Sequence, residues 1–342
     1  RQRDGLRNVL QNNQTQEIIV ETLENNVRFC LFPEGKHRAK HSLQPLGKGL
    51  SRIAFSANEK FGAEKPIYIV PTGIEYGDYF RYRSTSLVNF GEAINITEYL
   101  KSNSFENDAQ ALDAIRKLVS EKIPGLITYL PYDENYEAKW ALLKMCSIFK
   151  KKKGYGDFGT CLYDSMLKNR EIAEKIEEYA AAKPEEAAAL FERVLDFDKK
   201  REKAGVSIYS FRKMSPKCNV LRKGLRALVG LPYFILSAIL SLPTWAISVK
   251  IRKGAKDPAF HNTASLGVRL VLGPLLFIIY AALGFCLGPW WLAVIILGVY
   301  LTSLNYFHDY IEGCRRWFSD IRLLKNKKLY KEFKSIVKDF LA

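Results

Sequence analysis

Two short proline–glycine sequences, each directly after an apolar run, are the residues best suited to form a reactive site. Phe32–Gly35 (FPEG) follows the β-rich run Val27–Phe32, and Val70–Ile74 (VPTGI) follows the run Ile67–Val70. A proline at the end of such a run favours a turn that terminates a buried strand. Open α/β sheets bind their ligands at strand ends. The sequence therefore predicts that the two corners converge in space on a ligand pocket.

Basic and ionisable side chains are concentrated around the first corner. Six of them fall within seventeen residues, and they are Lys36, His37, Arg38, Lys40, Lys48 and Arg52. Guanidinium and ammonium groups are the usual protein ligands of phosphate, so this density suits a phosphate-bearing substrate. A solvated basic loop without a ligand is the alternative that these residues alone leave open.

Four segments in the first hundred residues together resemble a known enzyme family. They are Phe32–Gly35, Pro45–Gly49 (PLGKG), Val70–Ile74 and Gly91–Ile94 (GEAI). Their order and spacing resemble the third and fourth sequence blocks of the glycerolipid acyltransferases, which include glycerol-3-phosphate and lysophosphatidic acid acyltransferases. The resemblance implies transfer of a fatty acyl group from acyl-CoA or acyl carrier protein to glycerol 3-phosphate or lysophosphatidic acid. It implies no metal and no bound cofactor.

The resemblance also implies roles for individual residues. The glutamate and glycine of the third block help to hold the acyl acceptor, and an arginine that ends the second block binds its phosphate. The family's usual Thr-Arg-Ser is Lys-His-Arg here, so the cationic role has moved or doubled and falls to Arg38 or His37. The implied substrate-binding residues are Arg1 or, with a shifted register, Arg3, together with Pro33, Glu34, Gly35, Lys36, His37, Arg38, Lys48, Pro71, Thr72 and Gly73.

The family's catalytic pair is missing from the sequence. Family members use His-x4-Asp, in which the histidine takes a proton from the attacking hydroxyl and the aspartate orients that histidine. No aspartate stands five residues after any of the four histidines, which are His37, His41, His261 and His308. The pair precedes the second block, and the chain opens inside that block. We therefore expect an N-terminal truncation, no catalytic residue within this chain, and no activity from these 342 residues alone.

Hydrophobic patterning divides the rest of the chain. The order strand, helix, strand predicts an α/β sheet domain, here a partial acyltransferase domain over residues 1–104. Residues 105–222 have helical period and form a helical region. Residues 227–249 and 270–307 carry no charge, and a single helix over the second stretch would be roughly twice as long as the hydrocarbon layer is thick. A break at Gly288-Pro289 would divide this stretch, so the sequence predicts three membrane segments, 227–249, 270–287 and 289–307. They belong to a membrane-associated part over residues 223–342, which ends in a basic helix.

The charge distribution predicts where the protein resides. The net charge is +16, and Lys and Arg crowd every flank of the apolar segments, with ten in 199–226, five in 250–269 and nine in 308–342. Positive flanks stay on the cytoplasmic side. We therefore expect residues 227–249, interrupted by Pro232 and Pro243, to enter and leave the membrane from one face. The partners are anionic lipids at the cytoplasmic face of a membrane, of the bacterial inner-membrane type, and not nucleic acid.

Other assignments remain open on the sequence. Buried helices of a soluble protein are the alternative to membrane segments. The six cysteines include no CxxC pair, which argues against a zinc site or a disulfide framework and favours a reducing compartment. An acyltransferase that uses another lipid acceptor, such as an ornithine lipid or a lipid A precursor, would share the same blocks. A non-catalytic membrane scaffold that retains the fold is a further alternative.

Overall fold

The computed structural model describes residues 6–36, 38, 40–77, 84–150, 162–212, 216–255 and 260–341. Contacts divide the chain into two units. The first contains the described residues within Arg1–Gly77, Thr85–Tyr136 and Cys161–Lys175. The second contains those within Asp78–Ser84, Glu137–Thr160 and Ile176–Ala342.

The first unit is a group of helices with two small antiparallel strand pairs. Strand β1 (Tyr68–Ile69) pairs with β4 (Ile94–Asn95), and β2 (Thr72–Tyr76) pairs with β3 (Ser86–Phe90). The helices of this unit are α1 (Leu6–Glu24), α2 (Gly49–Phe61), α3 (Ile96–Ser102), α4 (Asp108–Lys122), a 3₁₀ turn (Ile123–Leu126) and the first part of α6 (Leu162–Ala182).

Helix α2 organises the core of the first unit. Its buried positions, Ala54, Ala57 and Phe61, recur every three or four residues and so fall on one helix face. That face packs against Val20 of α1 and Ile115 of α4, among other core residues. Helix α2 begins at Gly49, directly after Lys48 of the first corner's basic residues, and Arg52 lies in its first turn.

The predicted strand at Val27–Phe32 is wrong. These residues are not part of any strand, and Phe32 is 71% exposed. A strand requires a neighbouring backbone for its amide and carbonyl groups, and no described segment pairs with this one. The predicted α/β sheet domain is therefore reduced to the two small strand pairs, although the strand expected at Ile67–Val70 is present in part as β1.

The second unit contains the remaining helices, several of them predicted from periodicity. They are α5 (Tyr136–Lys150), whose first residue belongs to the first unit, the end of α6, α7 (Pro184–Lys203), a 3₁₀ turn (Ile208–Phe211), α8 (Pro216–Gly254), α9 (Phe260–Leu287), α10 (Trp290–Lys325) and α11 (Lys327–Leu341). Outside the apolar helices, Phe197 of α7, Phe211 and Phe333 of α11 form an aromatic cluster with ring centroids 4.7–6.0 Å apart. Helix α11 therefore packs its apolar face against α7.

Helices α8, α9 and α10 are each long and apolar enough to cross a membrane. Many of their large apolar side chains are exposed, among them Leu228, Val271 and Ile295, which is the arrangement expected of faces that contact lipid. Pro289 precedes the first residue of α10, so the predicted break at Gly288-Pro289 is confirmed. These helices indicate a membrane protein.

Helix α8 runs without interruption from Pro216 to Gly254 and contacts the second half of α10 along much of its length. In chain order the contacts include Lys223–Asp320, Gly224–Trp317, Ala227–Tyr310, Gly230–Tyr306, Tyr233–Thr302, Phe234–Tyr310, Ser241–Ser303 and Trp245–Phe307. Pro232 and Pro243 lie inside α8, and each removes a helical hydrogen bond and permits a kink. The expectation that this segment enters and leaves the membrane from one face stays a prediction.

Candidate functional site

The first proline–glycine corner opens a loop that closes on itself. We call residues 33–48 the basic loop; His37 and Ala39 within it are outside the described residues. The Gly35 amide donates to the Phe32 carbonyl at 3.3 Å, and the Gly47 amide donates to the Pro33 carbonyl at 2.7 Å. Gly35 has φ +66°, a left-handed conformation that favours glycine. The basic loop therefore begins with a defined turn, and a backbone hydrogen bond between Gly47 and Pro33 joins its two ends.

Glu34 accepts a hydrogen bond from within the basic loop, and its side chain is exposed to solvent. Its carboxylate accepts a hydrogen bond from the Gln44 amide at 3.2 Å, and the Gln44 side chain donates to the Lys36 carbonyl at 2.9 Å. The Glu34 side chain is exposed. One carboxylate oxygen is thus engaged by the loop itself, and the group as a whole is accessible to a ligand.

The cations of the basic loop are held by aromatic rings and a hydroxyl group. Arg38 donates to the Ser42 hydroxyl at 2.6 Å, and its guanidinium carbon lies 4.3 Å from the centre of the Tyr132 ring. The Arg38 Nε is buried and has no hydrogen-bond partner among the described residues. The Lys40 ammonium lies 5.1 Å from the centre of the Tyr136 ring. Aromatic rings orient a cation without neutralising it, so the loop remains suited to an anionic ligand.

The second corner packs two of its residues under the 3₁₀ turn that ends at Leu126. Pro71 and Gly73 are buried, and the Thr72 hydroxyl donates to the Val70 carbonyl at 3.1 Å. A side chain added at Gly73 would place its Cβ 2.6 Å from the Leu126 carbonyl oxygen. This corner therefore contributes a packed wall in which only glycine fits.

One short stretch, residues 126–130, contacts both the basic loop and strand β2. The Leu130 amide donates to the His41 carbonyl at 2.8 Å, and the Thr128 amide donates to the Glu75 carboxylate at 2.9 Å. The imidazole of His41 lies 3.7 Å from the same carboxylate. Residues 126–130 thus contact both the basic loop and strand β2, but Glu34 takes no part in these contacts, and the convergence of the two corners on a ligand pocket stays a prediction.

The pair of His41 and Glu75 is a feature that sequence reasoning missed. Glu75 is 4% exposed, and its burial raises the pKa of its carboxyl group, while the amide of Thr128 acts in the opposite direction. The two residues are far apart in the chain, and no local spacing indicates the contact. The sequence offered one signal for this contact, which was the acidic residue Glu75 beside the apolar Ile74 of the same segment.

We expect Glu75→Gln to change how stability depends on pH. Because the folded protein holds the Glu75 proton more tightly than the unfolded chain, the free energy of unfolding falls as pH rises from about 4.5 through the raised pKa. The glutamine variant lacks this titration, so its stability relative to the parent protein increases across that window. Denaturation at a series of pH values measures the difference. Parallel pH profiles for the two proteins would contradict the assignment, and Glu59→Gln, at an exposed site, is the control.

We expect Gly73→Ala to destabilise the first unit by about 1–3 kcal/mol, because the added methyl group overpacks a backbone carbonyl that cannot move aside cheaply. Gly49→Ala is the matched control, since nothing lies within 4 Å of its added Cβ. Chemical denaturation compares the two variants. Equal stability of both would show that the wall at Gly73 is not tightly packed.

Of the remaining candidate residues, the structure describes two lysines of the basic loop. Lys36 and Lys48 are exposed on the basic loop, and Lys48 immediately precedes α2. Arg1, Arg3 and His37 lie outside the described residues, so their predicted roles in phosphate binding stay predictions.

Comparison with known proteins gives one partial relative. Glycerol-3-phosphate O-acyltransferase 1 of Saccharomyces cerevisiae (strain ATCC 204508 / S288c) is 29% identical over 119 residues, which are 35% of this chain and 15% of that protein. The chain therefore spans far less than two thirds of that relative. No family model matches, and no solved structure matches. The match supports a relationship to the glycerolipid acyltransferases.

Proposed function

We propose that the protein is a membrane-bound acyltransferase of phospholipid biosynthesis. It moves a fatty acyl group from acyl-CoA or acyl carrier protein to a hydroxyl of glycerol 3-phosphate or lysophosphatidic acid. The observation that carries the proposal is the basic loop, where an accessible Glu34 lies on the same short loop as cations held by aromatic rings. The partial match to a glycerol-3-phosphate acyltransferase supports it.

The proposed reaction is attack of the acceptor hydroxyl oxygen on the thioester carbonyl. A new C–O bond forms, the C–S bond breaks, the thiol leaves, and the hydroxyl proton passes to a general base. The family resemblance assigns that base to the histidine of a His-x4-Asp pair, which these 342 residues do not contain. The residues described here bind and orient the acceptor.

Different residues of the basic loop are proposed to bind different parts of the acceptor. We assign the Glu34 carboxylate to an acceptor hydroxyl, because it is a hydrogen-bond acceptor on the open side of the turn. Lys36, Arg38 and Lys48 take the phosphate, together with Arg1 or Arg3 and His37. Pro33 and Gly35 shape the turn, and Pro71, Thr72 and Gly73 form the wall behind it.

Membrane attachment suits substrates and products that are amphipathic. Three apolar helices anchor the chain, and basic residues flank each of them; Lys223 near the start of α8 pairs with Asp320 of α10 at 2.7 Å. Basic groups at a membrane surface attract anionic lipids. We propose that this surface is the cytoplasmic face.

A panel of acceptors tests the proposal. Protein expressed from the complete gene is supplied with labelled acyl-CoA or acyl carrier protein and with glycerol 3-phosphate, lysophosphatidic acid, a monoacyl ornithine lipid or a lipid A precursor. We expect label in the product of a glycerol phosphate acceptor. Label only in one of the other two acceptors would replace the proposed substrate. No transfer to any acceptor by folded protein would favour the non-catalytic scaffold.

A further inference from the structure

Helix α8 carries a row of exposed leucines that starts before its uncharged segment. That segment begins at Ala227, yet Leu221 and Leu225 are already 77% and 62% exposed, and Leu228 continues the row at 68%. The spacing of four and then three residues places these side chains on one face of the helix. Contiguous exposed apolar side chains mark an interaction surface. The row therefore calls for an apolar partner, which the described residues do not supply.

The leucine row continues onto the part of α8 that is apolar enough to cross a membrane. Ile235 and Ile239, which are 52% and 63% exposed, extend the row into the uncharged segment. At a rise of 1.5 Å per residue, Leu221 precedes Ala227 by roughly 9 Å. The headgroup layer outside the hydrocarbon is about 5–8 Å thick on each side of a bilayer. With Ala227 at the edge of the hydrocarbon, the leucine row therefore begins at the depth of the lipid headgroups.

Two arginines beside the leucine row have no carboxylate partner among the described residues. Arg222 and Arg226 are exposed, and neither side chain forms an ion pair there. Their neighbour Lys223 differs, because its ammonium lies 2.7 Å from the Asp320 carboxylate. Helical side chains four residues apart have Cβ atoms about 5–6 Å apart. Both guanidinium groups are therefore close enough to bind one phosphate, and their charge is not balanced within the described chain.

We propose that this first part of α8 is a binding site for an anionic phospholipid. The phosphate oxygens accept hydrogen bonds from Arg222 and Arg226, since guanidinium groups match phosphate geometry. An acyl chain lies along Leu225 and Leu228, where the exposed row leads toward the hydrocarbon. A soluble anion would leave the leucines uncovered, and a neutral lipid would leave the arginines unpaired. The site does not depend on the proposed acyl transfer.

Lipid titration tests the phosphate half of the site. The purified full chain in detergent is titrated with phosphatidylglycerol, which is neither an acceptor nor a product of the proposed transfer, and with diacylglycerol of the same acyl chains. We expect the double variant Arg222→Gln/Arg226→Gln to bind phosphatidylglycerol about tenfold more weakly, because hydrogen bonds to a charged group are lost. We expect diacylglycerol to bind weakly and equally to both proteins.

A second pair of cations controls for general attraction between a basic protein and anionic lipid. Lys199 and Lys203 are exposed on α7 and are also four residues apart. Lys199→Gln/Lys203→Gln removes the same charge and should retain full binding. An equal loss of binding in the two double variants would reduce the effect to net charge and overturn the site. Unchanged binding by the arginine variant, or equal binding of the two lipids to the parent protein, would overturn it as well.

Photocrosslinking tests the apolar half of the site. A benzophenone side chain is placed at Leu225, or at Leu195 of α7 as the control, which is 36% exposed. Each protein is reconstituted in phosphatidylglycerol vesicles and irradiated, and its adducts are identified by mass spectrometry. We expect a phospholipid adduct at position 225 and none at position 195. The absence of a lipid adduct at position 225, or a crosslink to a second copy of the chain in its place, would overturn the assignment to a lipid.

Discussion

Glu34→Ala should lower kcat/KM for acyl transfer by about 100-fold or more in protein expressed from the complete gene, because a misplaced acceptor loses its reactive geometry. The same change should alter stability by no more than about 1 kcal/mol, since the side chain is exposed and its hydrogen bond to the Gln44 amide is a single solvent-accessible one. Steady-state kinetics with the acyl donor at saturation measure the first effect. Chemical denaturation measures the second.

Two further variants separate substrate binding from loop closure. Glu34→Gln keeps an oxygen that can accept the Gln44 amide, so the loop stays closed while the charge is lost. We expect it to remain strongly impaired. Glu59→Ala removes an exposed glutamate from α2 in the same unit and should leave kcat/KM unchanged. Retained activity in Glu34→Ala would remove Glu34 from the site.

Glu177→Ala should destabilise the second unit by about 1–3 kcal/mol. Lys139 of α5 is 4% exposed, and its ammonium lies 2.8 Å from the Glu177 carboxylate, whose side chain is 35% exposed. Removing this carboxylate weakens the compensation of a buried charge in a medium that solvates it poorly, which is more costly than losing a surface pair. The free energy of unfolding from urea denaturation measures the loss, and the slope with denaturant should stay the same.

The neighbouring residue supplies the control for this prediction. Glu178 is exposed on the same helix, and Glu178→Ala should change stability by no more than about 0.5 kcal/mol. A similar loss in both variants would mean that helix propensity, and not the ion pair, is responsible.

The helices could be predicted because their signals are local. Proline at the start of α7 and the apolar stripe that follows indicate that helix, and Gly288-Pro289 marks the break between α9 and α10. In each case a few adjacent residues decide the backbone geometry.

Features that depend on distant partners could not be predicted in the same way. The apolar run at Val27–Phe32 has strand composition, yet a strand also requires a neighbouring backbone, which composition does not report. The contact between His41 and Glu75 joins residues that no motif relates.

Hydrogen exchange of the basic loop gives the most direct test of the claim that it binds a phosphate-bearing acceptor. Protein is exchanged with saturating glycerol 3-phosphate, with glycerol, or with neither, and peptides that cover residues 33–48 are compared. The account predicts slower exchange in these peptides with glycerol 3-phosphate and no change with glycerol. Unchanged exchange across residues 33–48 under conditions where the acceptor is bound would contradict it.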